Sequence, residues 1–265
     1  MEQMPKPLSL VLEYDYNMKK IYCILILLCF ACDSENASDC FQLEGDMVQL
    51  QFELPDFTKI RIEHNVSLVI KQGETQDVIL ETGENLLPDV WVYVEDGVLV
   101  VRDNNACNYV RDFGVTRAIV TTPNISEIRN GSSYNVVGEG VLNFPDLRLI
   151  SNTTGGFEDI RKSGDFTMTI NTTNLSVEAN GFSGFFIDGE AENAVISFED
   201  KTPRFEGANL LVDHLRIFHR SANKMIVNPQ LSIRGRIVGV GDVISVTRPE
   251  IIEVEELYSG RLLFQ

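Results

Sequence analysis

The clearest polar cluster, His214, Arg216, His219 and Arg220, lies in the stretch DHLRIFHRS, where His214, Arg216, Phe218 and Arg220 occupy alternate positions. In an extended strand successive side chains point to opposite faces, so these four share one side while Leu215 and Ile217 take the other. Guanidiniums, an imidazole and a ring on one surface suit a carboxylate or an anionic sugar, through charge-assisted N–H donation and stacking. An ordinary solvated strand face has the same look. One segment upstream, Asp200, Lys201 and Arg204 supply an acid and two bases. Lyase chemistry on stacked strands needs several acids converging on Ca²⁺, and neighbouring segments hold no dense acidic cluster. The two carboxylates that glycoside hydrolysis needs carry no information in a chain with 39 acids, because some pair always qualifies. No D-x-D-x-D-G loop or H-E-x-x-H occurs, and Gly239-Val240-Gly241 lacks the βαβ context of a dinucleotide site and reads as a turn. The residues therefore assign no catalytic group, no metal ligand and no cofactor.

The elements that must position this cluster form a repeat. Leu175–Asn193 reads LSVEANGFSGFFIDGEAEN, followed by VISFEDKTPRFEG from Val195 and LRIFHRSANKMIV from Leu215, so the apolar triplets begin 20 residues apart. Phe185, Phe205 and Met225 each lie ten residues into their unit, and Leu147 and Phe157 show the same spacing one unit earlier. A period near 20 with two short strand-like pieces per unit predicts an all-β solenoid with rungs of about 20 residues, in which each rung buries its inner face only against its neighbours.

Upstream, VQLQFELPDF, IRIEHNVSLVIKQG and VWVYVEDGVLVVRD alternate with period 2 and read as strands. Glu95-Asp96-Gly97 predicts a tight hairpin turn and Asn130-Gly131 a second one. The one helical candidate is a turn at Gly83–Leu87 before Pro88. Residues 45–120 form a more hairpin-like sub-region and residues 121–265 the solenoid repeats and their cap, with no Pro/Gly/Ser linker between them. The polar rows Ser132-Ser133, Thr153-Thr154 and Ser183-Gly184 suit either a flat binding surface or ladders that stabilise turns, and the second reading is preferred.

Charge and the N-terminus restrict the setting. A formal net charge of −17 repels nucleic acid and anionic membrane surfaces. Met18-Lys19-Lys20 followed by the apolar run Ile21–Ala31 has the form of a secretory signal, too short to span a bilayer. Acids precede those lysines, which points to Met18 as the true start. Residues 1–31 then comprise an upstream extension and a signal peptide. Cys29-Phe30-Ala31-Cys32 looks like a bacterial lipobox with Cys32 as the lipidated first residue, and residues 32–44 form an acidic tether. The two remaining mature cysteines, Cys40 and Cys107, read as one disulfide in an exported protein. Cys107 has no histidine in its own stretch to activate it as a nucleophile.

The stretches FTKIRIEHNVSLVIKQG (57–73) and GENLLPDVWVYVEDGVLVVRD (83–103), with the turns NGSS, NTTGG and NGFSG and the terminal GVGDV and SGRLLFQ, carry a resemblance. Over residues 45–265 the chain resembles the auto-transporter adhesin head GIN domain proteins. The resemblance implies a right-handed parallel β-helix-like fold in one continuous domain, in an exported Bacteroidetes-type lipoprotein. It supplies no catalytic residues. The expectation is a non-enzymatic envelope protein held at the outer membrane by its lipid alone, periplasmic or surface-exposed. Its solenoid surface would bind a glycan or another envelope protein. The competing readings are a structural or sensory envelope protein and a β-helix carbohydrate-active enzyme.

Overall fold

The computed structural model describes residues 39–105, 107–157 and 160–265. The chain is all-β, with 3₁₀ turns only at Asp39–Phe41 and Leu87–Asp89 among the described residues. The second turn replaces the one expected at Gly83–Leu87, because Pro88 fits the first turn of a helix, where its missing N–H costs nothing. The strands are β1 (Met47–Phe52), β2 (Lys59–His64), β3 (Ser67–Gln72), β4 (Asp77–Gly83), β5 (Val90–Glu95), β6 (Val98–Asp103), β7 (Arg117–Thr122), β8 (Glu127–Ser132) and β9 (Val136–Leu142). They continue as β10 (Asp146–Ser151), β11 (Phe166–Ala179), β12 (Gly184–Phe198), β13 (Arg204–His219), β14 (Met225–Ile237), β15 (Val243–Ser245), β16 (Ile251–Glu256) and β17 (Leu262–Phe264). No helix among the described residues is long and apolar enough to cross a membrane.

These strands form one mixed sheet, curled into a half-barrel. One parallel ladder runs β6–β2–β8–β10 and on through the second halves of β11, β12, β13 and β14 to β16. A second runs β7–β3–β9 and through the first halves of the same four strands to β15 and β17. Antiparallel pairs β1–β4, β4–β7 and β5–β6 finish the N-terminal end, so the sheet is not uniformly parallel. The β5–β6 hairpin turns on Asp96 (φ 50°) and Gly97 (φ 73°), the two positive φ values that a type I′ turn requires. The last strands continue the two ladders in register. Glu253, Glu255 and Glu256 put charge on the outermost strand, which discourages edge-to-edge pairing.

One hydrophobic cluster runs from Phe57 to Val243 between the ladders. Phe166 and Phe185 stack at 4.8 Å with planes 10° apart, and Phe198 and His219 continue the contact at 5.8 and 6.1 Å. Three sequence expectations are corrected by this packing. Phe157 is not the partner of Phe185; Phe166 is, because an excursion of the chain after Asn152 displaces the spacing. Phe157 lies half-buried on the outer face with its ring 4.8 Å from the guanidinium carbons of Arg61 and Arg129. Val195 faces out, because Ala194 stacks between Leu175 and Leu215; the even 20-residue spacing conceals a uniform step of 19 from β11 to β12 and a step of 21 from β12 to β13, where the register shifts between Phe186 and Gly189. Asn130-Gly131 is strand rather than turn: a Cβ on Gly131 would meet Ile160 Cγ2 and the Ile62 carbonyl at 3.1 Å, so glycine permits close approach.

His219 belongs to the core, not to the polar cluster suggested by its neighbours. It is 0% exposed, its Nε2 lies 3.0 Å from the Asn223 carbonyl, and its Nδ1 has no partner. That environment suits the neutral ring protonated at Nε2. Burial pushes its pKa down to about 4. The unfolded histidine takes up a proton near pH 6.5 and the native one does not until about pH 4, so the contribution of this residue to stability falls as pH drops through that interval, by about 3 kcal/mol in total, and changes no further below it. Urea denaturation at pH 7, 5.5 and 4 should show this loss in the wild type and its absence in His219→Phe; equal losses would remove the assignment. Phe185→Ala should cost about 4 kcal/mol as a core truncation, and Phe157→Ala about 2 kcal/mol as the loss of cation–π contacts with two guanidiniums that the ring helps to shield. Equal costs in thermal melts would put Phe157 back in the core.

Candidate functional site

The parallel register brings side chains from different rungs into rows on the outer face. One row reads Val195, Arg216, Arg234, Glu253, and its neighbour reads Ser197, Phe218, Arg236, Glu255. Strands lie about 4.8 Å apart, so Arg216 and Arg234 stand side by side despite their like charge. Glu253 neutralises Arg234 at 3.0 Å, and the Ser232 hydroxyl accepts a second bond from it at 3.1 Å. Arg236 lies with its guanidinium carbon 5.6 Å from the Phe218 ring. Arg216 and Arg236 are exposed and form no ion pair among the described residues. Together these groups line an open groove of about 400 Å³. The arrangement can hold an anion between two arginines and stack a flat group on Phe218.

The four residues proposed from sequence are therefore only partly brought together. Arg216 and Phe218 line the groove. His214 stands one row away with its Nδ1 3.0 Å from the Ser232 hydroxyl, and Arg220 lies exposed in the turn after β13. Sequence reading missed Arg234, Arg236 and Glu253. The alternating RGR of LSIRGRIV was a signal, but its phase relative to Arg216 depends on the irregular β13–β14 register.

The other candidates are spent on internal contacts. Lys201 lies 3.7 Å from Asp200, whose carboxyl is held below its ordinary pKa chiefly by a hydrogen bond from the Lys201 backbone N–H. Arg204 pairs with Glu206, which Lys224 also approaches at 3.6 Å. No group of three potential metal ligands occurs among the described residues. Ser132 and Ser183 are buried, the first bonding the His64 carbonyl at 2.8 Å and the second the Ser151 hydroxyl at 2.7 Å, so these polar rows serve the turns. Cys40 and Cys107 are joined by a disulfide with Cα atoms 4.4 Å apart. The nearby cavity of about 240 Å³ contains Asp103, whose oxygens accept from Asn105 and from the Thr116 hydroxyl. Cys32, the signal segment and most of the tether lie outside the described residues.

A family model described as "Putative auto-transporter adhesin, head GIN domain" matches residues 56–249. No curated protein matches the chain. Among solved structures, a putative adhesin from Bacteroides fragilis is similar at a TM-score of 0.74 with 17% identity, over 84% of this chain and 99% of that one. A putative lipid binding protein from Parabacteroides distasonis is similar at a TM-score of 0.56 with 12% identity, over 83% and 97%. A putative adhesin from Parabacteroides merdae reaches 0.56 with 17% identity over the same shares. At these identities the likeness concerns the fold. The family model spans most of the chain, and the chain belongs to the putative auto-transporter adhesin, head GIN domain family.

Proposed function

We propose that this protein is a non-catalytic, lipid-anchored adhesin of the cell envelope that binds an anionic ligand in the groove between Arg216, Phe218 and Arg236. The observation that carries the reading is a pair of arginines left without carboxylate partners beside an aromatic ring, in a chain of net charge −17. An acidic protein that keeps unpaired cations on one outer face has a local use for them. The parallel registers support a right-handed solenoid running through residues 45–265, with the hairpin-rich part at 45–120 as its first section. The adhesin name of the family supports a location in the outer envelope, reached through the signal segment and a lipid on Cys32.

Binding of the purified full chain to an acidic-glycan array and to envelope lysate tests the site. Retention should weaken about tenfold in Arg216→Gln and in Arg236→Gln, the size of one lost charge-assisted bond, and should fall as salt is raised. Full retention by both variants would sink this site. Cys32→Ala should move the protein from the membrane to the soluble fraction, and unchanged partition would remove the anchor. Replacing Cys40 by Ser should lower stability by about 4 kcal/mol on the chain-entropy model for a loop closed over 67 residues; a melt unchanged from wild type would show that the bridge contributes nothing.

A further inference from the structure

The outer row that holds Phe218 and Arg236 begins several strands away with two more arginines. Arg61, Arg129, Ile150, Glu178, Ser197, Phe218 and Arg236 stand in register through seven successive strands of one ladder. At the far end the chain covers this row with its own backbone. The β10–β11 connection runs over residues 152–165, whereas the corresponding connections in later rungs are the much shorter 180–183, 199–203 and 220–224. Its extra length lays the Phe157 ring 4.8 Å from both guanidinium carbons. Asn152 accepts from Arg129 through its backbone carbonyl at 3.0 Å and its side-chain oxygen at 3.1 Å. Arg129 is only 8% exposed.

The open end repeats the cationic half of this arrangement. Arg216 and Arg236 flank an aromatic ring, face solvent, and receive no acceptor from the chain among the described residues. From this internal precedent, and resting on the reading of the groove as a ligand site, we infer that its ligand is a short extended peptide carrying an aromatic residue beside an acidic one. The peptide's ring stacks on guanidinium as Phe157 does. Its carboxylate takes the unpaired charges of Arg216 and Arg236, which Arg234 does not need because it holds Glu253. Val195 gives the groove an apolar side wall that a backbone with one large side chain can cover.

The chain's own sequence supplies the probe. A fluorescent peptide of residues 152–160, NTTGGFEDI, is titrated into the full chain beside two controls: the same peptide with Phe157→Ala, and with Glu158→Gln and Asp159→Asn. An oligogalacturonate is titrated in parallel. Binding of the first peptide should weaken about tenfold for each control peptide and for each of Arg216→Gln and Arg236→Gln, with circular dichroism unchanged. Sensitivity to Arg216 separates the groove from displacement of the native segment over Arg129. Equal binding of all three peptides, or binding indifferent to both arginine variants, overturns the inference. Oligogalacturonate held through Arg216 while no peptide binds overturns it too, yet leaves the proposed anion site standing; failure of every ligand overturns both.

Discussion

The in-register parallel stack is the constraint on which the rest of the molecule depends. A strand in the middle of this chain has no hairpin partner, so its N–H and C=O groups are satisfied only by the rungs on either side. The turns obey the same rule. Phe182 donates to the Lys162 carbonyl, Thr202 to Gly181, Ala222 to Lys201, Gly241 to Ser221 and Gly260 to Gly239, so even the edge is a backbone ladder. Once strand spacing is fixed at about 4.8 Å, side chains at matching positions must stack, whatever their chemistry. For aromatic rings this favours packing, and the Phe166–Phe185 stack follows. For charges it is a problem.

The outer face shows three answers to that problem. Arg148 is neutralised between Glu127 at 3.1 Å and Glu178 at 2.8 Å, and its hydrogen bonds hold the Glu178 carboxyl below the ordinary range. Arg129 is shielded by a ring and neutral acceptors, and burial lowers its pKa. Arg216 and Arg236 are left in water. The first answer is structural and the second is a cover. Only the third leaves electrostatic free energy to be gained from outside the chain, which is why the functional argument rests there.

The rungs were legible because the buried positions are chemically monotonous: Phe185, Phe205 and Met225 pair with one another as their spacing implied. The phase of the outer face was not legible. A step one residue short of the even spacing moves every side chain of the next strand to the other face, and Val195, which stands beside Ser176 rather than Leu175, was read as core when it lies outside. Arg216 and Phe218 were found because they share a strand, whereas Arg234 and Arg236 join them through a lateral register that no local pattern encodes. His219 shows the converse failure. Among charged neighbours it looked like part of a polar patch, but strict alternation from Leu215 and Ile217 points it inward.

The long connection after β10 bears on how such a protein can change over evolutionary time. Leu147 and Leu175 still stack although 28 residues separate them, so the added length left the ladder undisturbed. Loop entropy grows only logarithmically with length, and a connection at the rim displaces no core atom. Every rung has such a rim. A lineage of these chains can therefore acquire new surface chemistry one rung at a time, by lengthening one connection, while inheriting the stacked interior unchanged.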